Sequence, residues 1–180
     1  MGYEYYPQDV VSLQYAGSPI LCRPAQCTIG NEVVYLGAYH PNKRAELDQI
    51  KDISNVADLA YFGTGWEGNT PGLPLHVAGV AYSQSLISLN IHQDRQIERH
   101  SVNDRSYNIC MAGGFPLTDD PYTTLGEYCP RDKMPERVQE LLLDPWDLRQ
   151  RAMVWHEQSL QHDTYWHRFK TILDLLEKED

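Results

Sequence analysis

Residues 103–121 read Asn-Asp-Arg-Ser-Tyr-Asn-Ile-Cys-Met-Ala-Gly-Gly-Phe-Pro-Leu-Thr-Asp-Asp-Pro, and they decide the fold. A short helix spans 104–112, with Arg105 in its first turn. Gly113-Gly114 breaks it, because glycine is the poorest helix former after proline. A short strand at 115–118 follows and ends in the acids Asp119 and Asp120. In an α/β protein this order sets a helix N-terminus and a tight turn beside the ends of parallel strands, where ligands bind.

Upstream, the sequence builds a sheet for this segment. Residues 32–38, Glu-Val-Val-Tyr-Leu-Gly-Ala, form a β-branched run closed by Gly37, a buried strand. Pro41 can then start a helix with an apolar stripe through Leu47, Ile50 and Ile53. Residues 58–62 give a second strand, stopped by Gly63-Thr64-Gly65, and a loop rich in Gly, Asn and Pro runs to Pro74. Residues 75–83 suggest a short helix and 86–91 a third buried strand. Residues 92–100 are polar and charged, so an exposed loop is expected, with His92 and His100 at the surface.

Strand and helix alternate through the middle of the chain. That pattern implies a Rossmann-like α/β domain, a parallel sheet with helices on both faces. Downstream, residues 127–134 suggest no further strand. From Met134 the chain turns helical over 135–143, 146–158 and 164–178, with Asp144-Pro145 as a break and Asp163-Thr164 as a cap. His156, His162 and His167 are expected on this polar helical tail. Residues 1–31 read as an N-terminal arm or linker and residues 32–180 as the domain.

With 180 residues, 42% of them apolar, the chain can bury a core. A formal charge of −10 argues against a broad nucleic-acid face but leaves room for a local phosphate pocket. Cys22, Cys27, Cys110 and Cys129 form no Cys-x-x-Cys pair and no zinc spacing, so they read as reduced thiols. No charged-then-apolar leader and no 18-residue apolar run is visible, and a cytoplasmic protein without a membrane span is expected.

The usual signatures of chemistry are absent: no Gly-x-Gly-x-x-Gly after a strand, no P-loop, no Gly-x-Ser-x-Gly elbow and no His-Glu-x-x-His. What remains is a set of glycines near strand ends, Gly37, Gly63, Gly65, Gly113 and Gly114. Backbone N–H groups at such points can approach a diphosphate without a side chain in the way, although each glycine also suits an ordinary turn. Lys43, Arg44 and Arg105 are the cations placed to meet phosphate charge, with a solvated helix start as the alternative for the first two.

Several stretches together resemble a known family. These are Val33–Gly37 followed by Arg44, Tyr61-Phe62-Gly63-Thr64-Gly65-Trp66, and Leu89-Asn90-Ile91-His92. Asn103 through Asp119 and Thr164-Tyr165-Trp166-His167-Arg168 complete the set. In order and spacing they are similar to the C-terminal half of GT-B glycosyltransferases of the CgeB-like, group 1 type, over roughly residues 32–176.

The resemblance implies a single GT-B half-domain with a helical C-terminal tail that binds a nucleotide sugar such as a UDP- or GDP-sugar. It implies nucleotide-sugar-binding roles for Gly37, Arg44, Gly63, Gly65, Asn90, Arg105, Asn108, Gly113 and Gly114. It implies no metal and no other cofactor, the diphosphate charge being met by helix N-termini and Arg or Lys.

The sequence departs from the family at Asn108, where a ribose-binding Glu is expected; an amide can still hydrogen-bond a hydroxyl. The acceptor-binding half is not found before the first strand. Sugar transfer is therefore expected to need a separate acceptor-binding half, on another chain or elsewhere in a longer protein. A homodimer is a further expectation. The alternatives are a non-catalytic nucleotide-binding or protein-interaction module derived from the fold, and a doubly wound domain of flavodoxin-like or regulatory type.

Overall fold

The computed structural model describes residues 15–25, 30–39, 44–66, 71–98 and 103–177, the side chains of 44–47 and 49 excepted. Lys43 lies outside the described residues, as does the side chain of Arg44.

Among the described residues, five strands form one parallel sheet: β1 (Val33–Leu36), β2 (Leu59–Phe62), β3 (Ile87–Asn90), β4 (Pro116–Thr118) and β5 (Glu127–Tyr128). Their order is β2-β1-β3-β4-β5. The chain runs outward from β1 to β2, returns to β3, and continues to the far edge. The direction thus reverses between β1 and β3, where open α/β sheets leave a crevice above their carboxyl ends.

Seven helices accompany the described strands: α1 (Arg44–Ile53), α2 (Leu75–Gln84), α3 (Asp94–Glu98), α4 (Asp104–Met111), α5 (Met134–Leu142), α6 (Pro145–His162) and α7 (Tyr165–Leu176). A Rossmann-like α/β fold with helices on both faces is therefore what the sequence builds.

Successive strand residues point to opposite faces, which splits the core in two. Val33, Tyr35, Ile87 and Leu89 pack with Ile50 and Ile53 of α1, Val138 and Leu141 of α5, and Leu148 of α6. Val34 packs on the other face with Ala78 and Tyr82 of α2 and Ile109 and Met111 of α4. Each fully buried aliphatic side chain contributes about 1.5–3 kcal/mol of transfer free energy. Residues 15–25 reach this second face as well. The Cys22 side chain is fully buried there, and Gly17 bridges to Thr164 at the start of α7.

Three expectations change. The run after β3 is not an exposed loop: α3 forms within it, and His92 is 1% exposed. A fifth strand follows Gly126, because Glu127 is held between Arg137 at 2.5 Å and Arg151, and Cys129 N donates to Thr118 O at 2.8 Å. His156 is buried rather than on a polar tail, its Nδ1 lying 2.9 Å from Cys110 O.

The break at Asp144-Pro145 proves to be a helix cap, and the cap expected at Thr164 forms. Asp144 Oδ1 accepts from Asp147 N at 3.0 Å, and Thr164 with His167 makes a reciprocal capping box.

Candidate functional site

A pocket of about 380 Å³ opens above the carboxyl ends of β1 and β2, against the first turns of α4. That volume falls at the small end of the range for ligand sites, roughly 300–1,000 Å³. Leu36, Phe62, Leu73, Leu75, Ala78 and Tyr82 give it an apolar wall. Gly37 and Gly63 supply bare backbone on one side, and Asp104, Arg105 and Asn108 line it from α4.

The backbone at Gly63 explains why no side chain stands there. Its φ is +150°, and a Cβ would lie 2.1 Å from Gly37 O. Only glycine lets the two loops close together, with Gly37 N donating to Phe62 O at 2.9 Å.

Arg105 is half-buried and held in place. Its Nη1 donates to Ile91 O at 3.2 Å and Asn90 Oδ1 at 3.4 Å, and its guanidinium lies 5.2 Å from the Tyr35 ring centroid. Asn90 is fully buried beneath it. Its Nδ2 donates to Ser106 Oγ at 2.6 Å, and its Oδ1 accepts from Asn103 Nδ2 at 3.0 Å. Asn103 caps α4 through Ser106 N. Asn90 thus ties the end of β3 to the start of α4 and aims Arg105, without itself lining the pocket.

Asn108 lines the pocket one turn further along. Cys22 Sγ lies 3.7 Å from its Oδ1. Burial, and then the charge of Asp104, push the Cys22 thiol up to about 11, so it stays protonated and can donate.

Four of the nine sequence-derived site residues therefore converge: Gly37, Gly63, Arg105 and Asn108. Gly65 lies beyond the loop pair, in a separate aromatic pocket. Arg44 has no described side chain.

Gly113 and Gly114 are placed at the amino end of β4, at the opposite end of the strands from the pocket. Gly113 has φ +71°, its N donates to Cys110 O at 3.0 Å, and Gly114 N donates to Ile109 O at 3.0 Å. Those two bonds are a Schellman motif, and the pair ends α4 rather than facing this pocket. Among the described residues no group of three His, Cys, Asp or Glu side chains is arranged to hold a metal ion.

Two features escaped the sequence reading. Asp104 places a carboxylate in the pocket one turn before Asn108; the four-residue spacing on one helix face was its only signal. Beside the pocket, at the ends of β3 and β4, lies a buried polar cluster. Asp119 Oδ1 accepts from His92 N at 2.9 Å and lies 2.9 Å from His92 Nδ1; Oδ2 accepts from Arg131 Nε at 2.5 Å. Arg131 also donates to His92 O at 2.8 Å and Asp94 Oδ1 at 2.7 Å. Burial alone raises the Asp119 pKa, but the bonds from His92 and Arg131 outweigh it and hold the carboxyl below its ordinary value. No local sequence pattern joins residues so far apart.

The search of curated proteins gives no significant match. The profile of the family described as glycosyl transferase-like matches residues 43–174. That span runs from α1 into α7 and takes in four of the five strands, the α4 turns and the cap at Thr164. A reversing parallel sheet, with a pocket above its carboxyl ends, accords with that match, and the chain belongs to the glycosyl transferase-like family as a GT-B-type half-domain.

Proposed function

We propose that the pocket above β1 and β2 binds the nucleoside diphosphate of a nucleotide-sugar donor, and that sugar transfer needs a separate acceptor-binding half. The observation that carries this reading is the convergence of Arg105, Asn108, Gly37 and Gly63 on one pocket.

Each part of such a donor has a counterpart. The guanidinium of Arg105 meets the diphosphate, which the lack of side chains at Gly37 and Gly63 lets come close; the apolar wall of Phe62, Leu73, Leu75 and Ala78 packs a flat base. Asp104 and Asn108 lie where ribose hydroxyls need partners. Arg105 and the α4 N-terminus offset leaving-group charge in place of a metal. α7 supports the need for a partner. It buries none of its residues, and Trp166 is 67% exposed and Phe169 51%.

The test is calorimetric titration of the chain with UDP, GDP and their sugars. One base is expected to bind, and Arg105→Ala to weaken that binding about tenfold, the loss of one charge-assisted contact. Absence of binding by every nucleotide, in a protein shown folded by its melting curve, overturns the reading. A second reading, a nucleotide-binding module without transfer, is favoured by the neutral amide of Asn108. It predicts the same titration but no sugar transfer with any acceptor half.

A further inference from the structure

A second cavity of about 210 Å³ lies across the loop pair from the first, on the α1 side of the sheet. Its lining is Tyr39, Lys51, Tyr61, Gly65 and Trp66. The wall between the two cavities is the extension of the β1–β2 pairing, in which Tyr39 N donates to Thr64 O at 2.8 Å. We propose that this cavity is a second binding site, for a single carbohydrate ring that carries an acidic group. The proposal goes beyond the nucleotide reading and does not rest on it.

Size and shape select a single ring. At ~30 Å³ per water the cavity has the volume of about seven waters, enough for one ring and not for a nucleotide. Trp66 is 5% exposed and forms the floor. Its Nε1–H is already committed to Gly37 O at 2.7 Å, so the indole backs the cavity without offering it a donor. Tyr61 lies 4.5 Å from Trp66 between ring centroids at an interplanar angle of 37°, and Tyr39 5.3 Å away at 60°. Rings set at such angles make a box, not the parallel slot that sandwiches a flat base. A puckered saturated ring, with apolar C–H faces and hydroxyls at its edge, fits a box of that kind.

The polar groups match the same ligand. Neither the Tyr39 nor the Tyr61 hydroxyl is hydrogen-bonded to another of the described residues, so both can pair with sugar hydroxyls. Among the described residues of the lining, Lys51 is the charged one. Its Nζ stands 5.8 Å from the centroid of the Tyr39 ring. Its contact with Asp48 is loose, 4.0 Å between two half-exposed side chains, and leaves the ammonium able to turn to a ligand. A local cation beside aromatic faces, in a chain of net charge −10, selects for an anionic group on the ring.

The experiment is saturation-transfer NMR and calorimetric titration of the full chain with glucuronate, with glucose as the uncharged control, repeated with saturating UDP. Glucuronate is expected to bind saturably in the millimolar range and more tightly than glucose. Lys51→Gln should weaken it about fivefold, to the level of glucose. Tyr39→Phe, which keeps the ring and removes one hydroxyl, should weaken both sugars about threefold. UDP should leave glucuronate binding unchanged.

Three results overturn the proposal: no saturable glucuronate binding by the folded chain, binding equal in Lys51→Gln and the parent, or displacement of glucuronate by UDP. The nucleotide reading is judged by its own titrations with UDP, GDP and their sugars, so its failure is seen separately.

Discussion

Asn108 is an amide where the family resemblance expects a carboxylate, and Asp104 returns a carboxylate to the same pocket one turn earlier. The two side chains share a helix face, since residues four apart stack on it. If Asp104 accepts from the ribose hydroxyls, the chain binds UDP better than 2′-deoxy-UDP, by about tenfold for one hydrogen bond to a charged group. Asp104→Asn is then expected to remove most of that preference while leaving the binding of 2′-deoxy-UDP nearly unchanged. Parallel titrations of the two nucleotides against parent and variant measure this, and a preference intact in the variant removes Asp104 from the ribose. Arg105 could be picked out from the sequence because the stretch around it, Asn103 through Asp119, carries the family resemblance. Asp104 was passed over because an acid in a first turn is also what the helix dipole favours anywhere.

α4 depends on both of its ends. Asn103 and Asn90 fix its start, and the Gly113–Gly114 turn fixes its stop. Gly113 has a left-handed backbone, φ +71°, with Pro24 Cγ 3.2 Å from the place of a Cβ. Gly113→Ala should therefore cost about 1–2 kcal/mol, the penalty of an L-residue in that region, read as a shift in urea midpoint. Nucleotide affinity should change little, because the turn lies at the amino end of β4, away from the pocket. A double glycine between helix and strand is legible as a break, yet which end of the strands it occupies follows only from chain direction.

β1 to β4 and the longer helices were legible because apolar runs and caps are local signals. β5 was not, being two residues long and held by Arg137 and Arg151 from later helices. His92 was misread for the same reason: its partners Asp119 and Arg131 come from elsewhere in the chain. Their pairing has a pH consequence. The folded-state pKa of Asp119 lies below its ordinary value of 3.8, so the anion stabilises the fold fully above about that pH. The contribution is lost as pH falls through the depressed folded value. Glu127, lowered in the same direction by Arg137 and Arg151 against its burial, adds to the acid limb. Asp119→Asn should cost about 3 kcal/mol at neutral pH, the order for breaking a buried ion pair. Between neutral pH and a pH below the depressed folded value, the gap between variant and parent should close, as urea midpoints at the two pH values will show. An equal gap at both would mean that the charge of Asp119 contributes nothing.

At the scale of the molecule, a buried two-faced core is followed by a last described helix, α7, that buries no residue. No described helix is long and apolar enough to cross a membrane. Among the described residues α7 is held near its start, where Arg168 bonds Tyr15 O, His162 O and Asp163, and Gly17 bridges to Thr164. Along the helix, Trp166, Phe169, Leu173 and Leu176 recur at three- and four-residue steps, the spacing of a seam that packs on another helix. All four are more than 40% exposed, and a Trp at the centre of an interface is the residue type on which binding energy concentrates. On the donor-half reading, the surface that covers this seam belongs to the acceptor-binding half. Transfer then requires both halves, because bringing donor and acceptor into register accounts for much of the barrier reduction. The purified chain is expected to bind nucleotide yet release no sugar to an acceptor, and adding a chain that carries a GT-B acceptor half should start turnover. Trp166→Ser with Phe169→Ser should abolish that rescue and leave the UDP titration unchanged, since α7 contributes nothing to the pocket. Turnover by the chain alone would overturn the two-part scheme, and rescue undiminished in the double variant would move the contact away from α7.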